Sequence, residues 1–476
     1  MNALMKAVRA ALEASGLWRD GAKLLCALSG GCDSVALVHV LGRLRTQKAL
    51  CVHAVHVQHG LRGEDSLADE RFVRSLCAKL NVPLIVVNAN LTGDMHTPGM
   101  ETQARERRRQ IFEEQMKILH ADALLTAHHL DDQAETVLMH LLRGSGMRGL
   151  CGMQTAVSFG GALLIRPFLS LPKQQLRAAL SAENLPSRED GSNQEAVTPR
   201  NALRLQLLPE LEKLFPNAGE HIAQTAEALA ADEAYLAAEA DKLYRMSRYA
   251  VAPLYMLRSQ PLADAPEPIR RRVLRRWYLD GLQAACLQTQ ERSLSHEDTL
   301  ALSALVCQPA GARLNLPCGL MAAREKDWLH LVHQSGQPLL AMQPYARTIC
   351  RERSRYELPH MFLQLSDAAA IPSHPYSVIL TPEWLEKRPV LRVPQPEDMI
   401  RPFGAPGRKP LRRYLTDRKV DPFLRRAWPV LCIQNEVLWC PGLCAAEALR
   451  LDHVPPGAVQ LTIIGENPFI PKPPKE

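Results

Sequence analysis

The segment Leu28-Ser29-Gly30-Gly31-Cys32-Asp33-Ser34 constrains this chain more than any other stretch. An apolar run, 23–27, precedes it and predicts a buried strand, while 35–44 predicts a helix directly after it. A glycine-rich turn between strand and helix is a place where backbone N–H groups can hold phosphate. Gly30 and Gly31 let the chain come close, Ser29 and Ser34 add hydroxyl donors, and the helix N-terminus adds partial positive charge. No lysine follows the glycines, so this is not the G-x-x-x-x-G-K-[ST] loop that grips β- and γ-phosphates. It carries Asp33 instead, an acid placed where Mg²⁺ could bridge it to a phosphate. The bland alternative is an ordinary strand-to-helix turn.

Around this loop, apolar runs alternate with helical periodicity. Strands are predicted at 23–28, 50–57, 83–88, 122–127 and 163–165, and helices beginning near Asp33, Ser66, Met100, Asp131 and Pro172. That alternation predicts a parallel, doubly wound sheet. Ligands on such sheets sit at the carboxyl ends of strands, so the loops after the first, second and fourth strands should converge.

The second of these loops carries His56, His59, Gly60, Arg62, Gly63 and the candidate N-cap Ser66. Strand alternation puts His53 and His56 on opposite faces, which argues against joint metal chelation. Arg62 can pair with a phosphate. Before the fourth strand, Glu101, Arg105 and Arg109 fall along one helix face at i, i+4 spacing, which also suits a plain salt-bridged surface. After the fourth strand come His128, His129, Asp131, Asp132 and Glu135. Asp132 and Glu135 share a face, and Asp131 is a candidate cap. These acids and histidines could bind a cationic amine, a metal, or both. The glycine-rich loop from Arg143 to Gly146 follows with one phosphate donor.

Beyond residue 215 the pattern changes. A long helix is predicted at 222–244, a shorter one at 269–279 with Ile269, Val273 and Trp277 inward, and strand-like pieces at 312–332. The formal net charge is +7, and 401–426 alone holds nine Lys/Arg against two acids. A second basic cluster runs from Arg270 to Arg276. Localised positive charge suits a nucleic-acid backbone, although a solvated helix face fits each cluster as well. At 476 residues, two to four domains are expected. No stretch approaches the ~20 apolar residues that span a bilayer, and 1–14 predicts an amphipathic helix rather than a signal peptide. Twelve scattered cysteines, with no C-x-x-C, suit a reducing cytoplasm.

The 29–34 loop resembles the PP-loop of ATP pyrophosphatases, which cut ATP between its α- and β-phosphates. Taken with 56–62, 101–109, 127–136, 143–150, Arg166-Pro167-Phe168, Asp190-x-Ser192-Asn193 and Arg200-Asn201-x-x-Arg204, the order and spacing resemble the tRNA(Ile)-lysidine synthetase family. Arg401-Pro402-Phe403-Gly404, Gly407-Arg408-Lys409 and 425–430 resemble that family's C-terminal domain. Gln110, where an aromatic often follows Arg109, is a small departure. The resemblance implies an α/β chain: an adenine nucleotide alpha-hydrolase-like doubly wound parallel sheet, a mainly helical middle domain and a small α+β C-terminal domain. The corresponding divisions are 1–214 (PP-loop catalytic), 215–335 (helical, tRNA-binding), 336–377 (connector), 378–467 (tRNA recognition) and 468–476 (a loose tail).

The resemblance also implies a reaction. ATP, L-lysine and an isoleucine tRNA with a CAU anticodon give lysidine, AMP and pyrophosphate. The cytosine 2-oxygen attacks the α-phosphorus, and the lysine ε-amine then displaces AMP at carbon 2. The implied catalytic residues are Asp33, Asp132, Glu135 and His128. ATP falls to Ser29, Gly30, Gly31, Cys32, Asp33, Ser34, His56 and Arg62, with Mg²⁺ on Asp33. Lysine falls to Asp132 and Glu135, with Arg105 or Arg109 on its carboxylate. The tRNA falls to Arg143, Arg200, Arg204, Arg271, Arg275, Arg408, Lys409, Arg412 and Arg413. Free lysine's amine has a pKa of about 10.4, so a base is needed, and which group serves is left open. Two rival readings stand: a PP-loop tRNA thiolase, for which the cysteines lack the expected pairing, and a non-catalytic ATP-switched RNA-binding protein. The expected location is cytoplasmic, with no membrane partner. Oligomeric state is not legible, a homodimer being one option.

Overall fold

Five parallel strands follow from five runs whose side chains find cover on both sides. The computed structural model describes residues 1–58, 64–89, 100–188, 198–251, 254–287, 294–339, 345–358 and 361–464. Arg62 with His59, Gly60 and Gly63, the Asp190-x-Ser192-Asn193 motif and the tail 468–476 lie outside these. The chain divides into two compact units, Met1–Tyr235 and Leu236–Glu476.

In the first unit the strands are β1 (Lys23–Ala27), β2 (Cys51–Gln58), β3 (Leu84–Asn88), β4 (Ala123–Leu125), β5 (Ala156–Phe159) and β6 (Ala162–Ile165). The helices are α1 (Asn2–Ala14), α2 (Cys32–Leu44), α3 (Glu64–Leu80), α4 (Met100–Leu119), α5 (Leu130–Leu142), α6 (Met147–Leu150), α7 (Lys173–Ala182), α8 (Pro199–Ala202) and α9 (Leu208–Leu214), while α10 (Ala218–Ser247) begins in this unit and ends in the second. A π-helical turn, Leu203–Leu207, joins α8 to α9. The sheet order is β3-β2-β1-β4-β6-β5, parallel throughout except for the β5–β6 hairpin. The order reverses between β1 and β4, which is where a doubly wound sheet opens a crevice.

Alternation along the strands explains the layers. Leu24, Cys26, Val52, Ala54, Ala123, Leu125 and Ile165 face one core with Leu4 and Val8 of α1, Val35 of α2, Val73 of α3 and Leu176 of α7. Leu25, Val55 and Leu124 face a smaller one with Met116 and Phe112 of α4. β5, which no periodicity marked, completes the sheet as its antiparallel edge.

The second unit contains a five-stranded antiparallel sheet: Arg248–Val251, Leu254–Arg258, Trp328–His333, Leu320–Arg324 and Arg313–Leu316, in spatial order. Helices Glu267–Ala284 and His296–Leu305 share its core through Val273, Trp277, Tyr278 and Leu302. Two further sheets share a second core centred on Leu363, Leu391, Val430, Trp439 and Leu461. Residues 336–377, expected as a connector, instead contribute strands Ala346–Thr348, Arg355–Leu358 and Met361–Asp367. The reason is visible in Met361, Leu363 and Leu365, which alternate inward at period two and pair with Val459–Ile464, a partner nearly a hundred residues away.

Candidate active site

The loop between β1 and α2 is built as a nest of hydroxyls and N–H groups. Ser34 Oγ accepts the N–H groups of Ser29 and Gly30, both at 3.2 Å, and donates to the Gly31 carbonyl at 3.0 Å. Ser29 Oγ accepts the Gly31 N–H at 3.4 Å and lies 3.1 Å from Ser34 Oγ. Three successive N–H groups thus converge on oxygen at the start of a helix, the arrangement that receives phosphate oxygens. Gly30 has φ +99°, and a Cβ there would sit 3.5–3.6 Å from Val73 and Phe72, so conformation rather than space demands glycine.

His56, at the end of β2, is buried with Nδ1 2.8 Å from the Leu28 carbonyl. A carbonyl only accepts, so Nδ1 carries a proton and donates it. His56 therefore fixes the mouth of the loop from the neighbouring strand. Asp33, in the first turn of α2, accepts from the Cys32 thiol at 3.0 Å and lies 3.7 Å from His129 Nε2 and 3.9 Å from Lys173 Nζ. Among the described residues no group of three or more His, Cys, Asp or Glu is placed to hold a metal. A lone carboxylate beside a phosphate nest nevertheless fits Mg²⁺, which binds through one or two acids plus phosphate oxygens and water.

The fourth-strand loop delivers its residues to the same edge. His129 caps α5, with the Asp132 carboxylate accepting the His129 N–H at 3.1 Å. Burial alone would lower the His129 pKa, but a hydrogen bond to Asp131 and the charges of Asp132 and Asp33 outweigh it and raise it. The His129 ring lies among carboxylates, with Nδ1 3.2 Å from Asp131 and Nε2 3.3 Å from Asp132, and Nδ1 also lies 3.4 Å from the Asp132 N–H. Asp131 also accepts the Lys173 N–H at 2.9 Å. Its carboxyl is held down to about 2, since burial, which acts upward, is exceeded by these hydrogen bonds. His128 differs. Burial, with lesser contributions from Arg166 and Arg200, pushes it down to about 4 against the pull of Asp132, so its ring is neutral near pH 7. Its Nδ1 lies 2.9 Å from Thr126 Oγ1.

A ring titration by NMR is expected to separate the two neighbours, His128 staying neutral down to about pH 4 and His129 protonated above its ordinary value. The folded pKa of His129 exceeds the unfolded value of about 6.5. Its ion pairs thus stabilise fully below that pH and fade as pH rises through the folded value. Asp131 has the opposite sign: its contribution is present above about 3.9 and is lost as pH falls towards 2.

Glu135, which the resemblance implies at lysine, is fully buried. Arg204 Nε meets Glu135 Oε1 at 2.5 Å and Arg200 Nε meets Oε2 at 2.8 Å. Arg204 Nη2 also reaches Asp132 Oδ1 at 3.0 Å, with Arg200 Nη2 at 3.6 Å. Arg200 and Arg204, expected at the RNA, therefore have their guanidiniums turned onto the two acids expected at lysine. An isolated buried carboxylate is prohibitively costly, so the α8 turn and the π-helical turn bring its counter-charges. The pairing neutralises both acids.

Other predicted residues divide. Arg109 pairs with Glu113 at 3.1 Å and lies over Phe159, whereas Arg105 is exposed on the first half of α4. Arg143 is exposed at the end of α5 and borders an apolar surface groove with Leu142, Ala202, Leu203 and Leu207. In the second unit, Arg271 pairs with Glu267, while Arg275 bonds Thr299 Oγ1 at 3.2 Å and the Leu294 carbonyl at 3.2 Å. Arg408 pairs with Glu436 at 3.1 Å and Lys409 with Asp417 at 3.0 Å. Arg412 and Arg413 are exposed on helix Leu411–Asp417, whose Leu411, Tyr414 and Leu415 are buried, and neither pairs with an acid among the described residues. Sequence reading missed Lys173, which faces Asp33, and Arg188, whose N–H donates to the Gly30 carbonyl at 3.1 Å and whose guanidinium pairs with Asp69. A lysine at the start of a helix behind the last parallel strand was the available signal for the first.

Residues 3–211 match the PP-loop domain family, and residues 390–457 match the TilS substrate C-terminal domain. The PP-loop match implies ATP binding. A tRNA(Ile)-lysidine synthase of Symbiobacterium thermophilum is 31% identical over 97% of this chain and 98% of its own length. The tRNA(Ile)-lysidine synthase of Geobacter sulfurreducens is 31% identical over 95% of each chain, and that of Bacillus subtilis 30% over 92% and 93%. No described helix is long and apolar enough to cross a membrane.

Proposed function

The chain belongs to the tRNA(Ile)-lysidine synthase family, and on that premise we propose that it is a carbon–nitrogen ligase joining L-lysine to C2 of the first anticodon cytidine of the CAU isoleucine tRNA. We assign the work to 1–214 for catalysis and to 215–335 and 378–467 for tRNA. The observation that carries the reading is a phosphate nest with Asp33 at the end of β1, facing the His128–His129–Asp132 loop at the end of β4. The N–H groups of Ser29, Gly30 and Gly31, with Ser34, hold the phosphates of ATP, and His129 and Lys173 add positive charge beside Asp33. Bound Mg²⁺ on Asp33 would neutralise the charge developing as the α–β bond breaks.

Neutral His128 offers a hydrogen-bond acceptor without repelling the incoming ammonium of lysine. That ammonium competes with Arg200 and Arg204 for Asp132 Oδ1, so lysine binding displaces a guanidinium from it. Thiol delivery fits poorly here: burial and, after it, Asp33 push the Cys32 thiol up to about 11, which leaves it protonated at neutral pH. All twelve cysteines are free, in keeping with a cytoplasmic location.

Incubation with ATP, labelled lysine and bulk bacterial tRNA tests the reading. AMP and pyrophosphate release that depends on both tRNA and lysine, with lysine incorporated into the RNA, is expected. Release of ADP, or exchange of oxygen for sulfur in the tRNA, would remove it.

Arg412 and Arg413, exposed and without an acidic partner among the described residues, are assigned to the RNA backbone. Reversing both (Arg412→Glu with Arg413→Glu) is expected to weaken tRNA binding about tenfold and to flatten the salt slope by roughly 2, with ATP binding little changed. An unaltered salt slope would leave the helix as a solvated face.

A further inference from the structure

One peptide of the phosphate nest is held from outside the loop. A trans peptide carries its C=O and its N–H on opposite sides. The Gly31 N–H is turned towards Ser29 Oγ at 3.4 Å, so the Gly30 carbonyl points away from the nest, and there it accepts the Arg188 N–H at 3.1 Å. Were this peptide to turn over, a carbonyl oxygen would face the phosphate in place of a donor. Gly30, at φ +99°, and Gly31 both lack a Cβ, so sterics alone oppose that rotation little.

The chain is built to bring Arg188 to this point. α7 ends at Ala182, the Glu183 carboxylate accepts from Arg43 of α2 at 2.8 Å, and Asn184, at φ +51°, turns the backbone. The Leu185 N–H closes the turn on the Leu180 carbonyl at 3.0 Å, and the Leu185 side chain packs against the core that β1 and α2 share. Arg188 then reaches the loop, and its guanidinium pairs with Asp69 of α3. Asp69, Phe72 and Val73 fall on one face of that helix. Val73 and Phe72 stand 3.5 and 3.6 Å from where a Gly30 Cβ would lie. The same face of α3 thus packs on the loop and holds the residue that bonds it.

We propose that Arg188 is a positioning residue for the nucleotide: held by Asp69, its N–H fixes the Gly30–Gly31 peptide with the donor towards the phosphates. This rests on the loop holding the phosphates of ATP. The test uses the full-length chain and the Mg²⁺ complex of α,β-methylene-ATP, which cannot be cut between its α- and β-phosphates. Its Kd is measured by calorimetry, and KM for lysine is measured alongside at saturating ATP and tRNA. A partly misfolded variant shows fewer binding sites, whereas Kd reports the folded fraction.

Arg188→Ala and Asp69→Asn are each expected to weaken nucleotide binding about three- to tenfold, the pair being partly in water. Arg188→Pro also removes the N–H and should lose roughly tenfold more. KM for lysine should stay within about twofold in all three. Arg188→Asp sets two carboxylates against each other, and adding Asp69→Arg should recover about threefold or more of the affinity it loses. A wild-type Kd in Arg188→Ala would overturn the assignment, whatever Arg188→Pro shows. So would a rise in KM for lysine matching the loss of nucleotide affinity, which would make the contact a general support of the fold. Failure of the wild type to bind the analogue would remove the phosphate-loop reading itself, and this role with it.

Discussion

Asp33→Ala is expected to abolish AMP transfer to the tRNA, by roughly 10³-fold or more. Among the described residues Asp33 is the one acid in the Ser29–Ser34 loop, and three features of its setting make it the point of leverage. It sits in the first turn of α2, so its carboxylate lies beside the N–H groups that receive phosphate. It lies 3.7 Å from His129 Nε2 and 3.9 Å from Lys173 Nζ, so it ties the loop to the β4 and α7 sides of the site. It is also only partly buried, so its removal should cost little stability, and an unchanged melting temperature would assign the loss to chemistry. Asp33→Asn keeps the shape and removes the charge, and should fail nearly as badly. Single-turnover formation of AMP-tRNA without lysine is the measurement, and near-normal rates in either variant would detach Asp33 from phosphoryl transfer.

Glu135→Ala should separate the two half-reactions. AMP transfer is expected to persist within about tenfold, while lysine transfer falls by roughly 10²-fold or more. The argument is electrostatic. Arg200 and Arg204 now divide between Glu135 and Asp132. Once Glu135 is removed, both guanidiniums fall on Asp132 alone, and the acid needed to receive an ammonium is over-neutralised. The change also breaks a buried ion pair, for which a loss of about 2–3 kcal/mol is expected, less than for a fully enclosed pair because both arginines remain partly in water. Lysidine formation at the normal rate by Glu135→Ala would show that the acid is purely a clamp for the two arginines. Adding Arg204→Ala should recover some stability, since it removes one of the stranded charges.

The legible part of the site is the part in which chemistry and backbone are local. Ser29, Gly30, Gly31 and Ser34 lie within six residues, so the strand, the turn and the helix N-terminus can be read from period and glycine placement alone. The Asp131–Asp132–Glu135 spacing likewise puts acids on one turn of α5 before any contact is known. Arg166 is visible as a motif, but its buried Nε without a partner among the described residues depends on how β6 lies against β4. The strands at Arg355–Leu358 and Met361–Asp367 read as connector because proline punctuation around them masks a short period-two pattern whose partner lies far along the chain.

By itself the sequence determined the order of strands and helices, the phosphate-holding turn and the pool of charged groups, because each depends on residues a few positions apart. Tertiary structure alone decided which charges are free. It turned Arg200 and Arg204 inward onto an acid 65 and 69 residues earlier and left Arg412 and Arg413 in solvent. Pairing energy depends on distance in space and on burial, and neither is written in the spacing of residues along a chain.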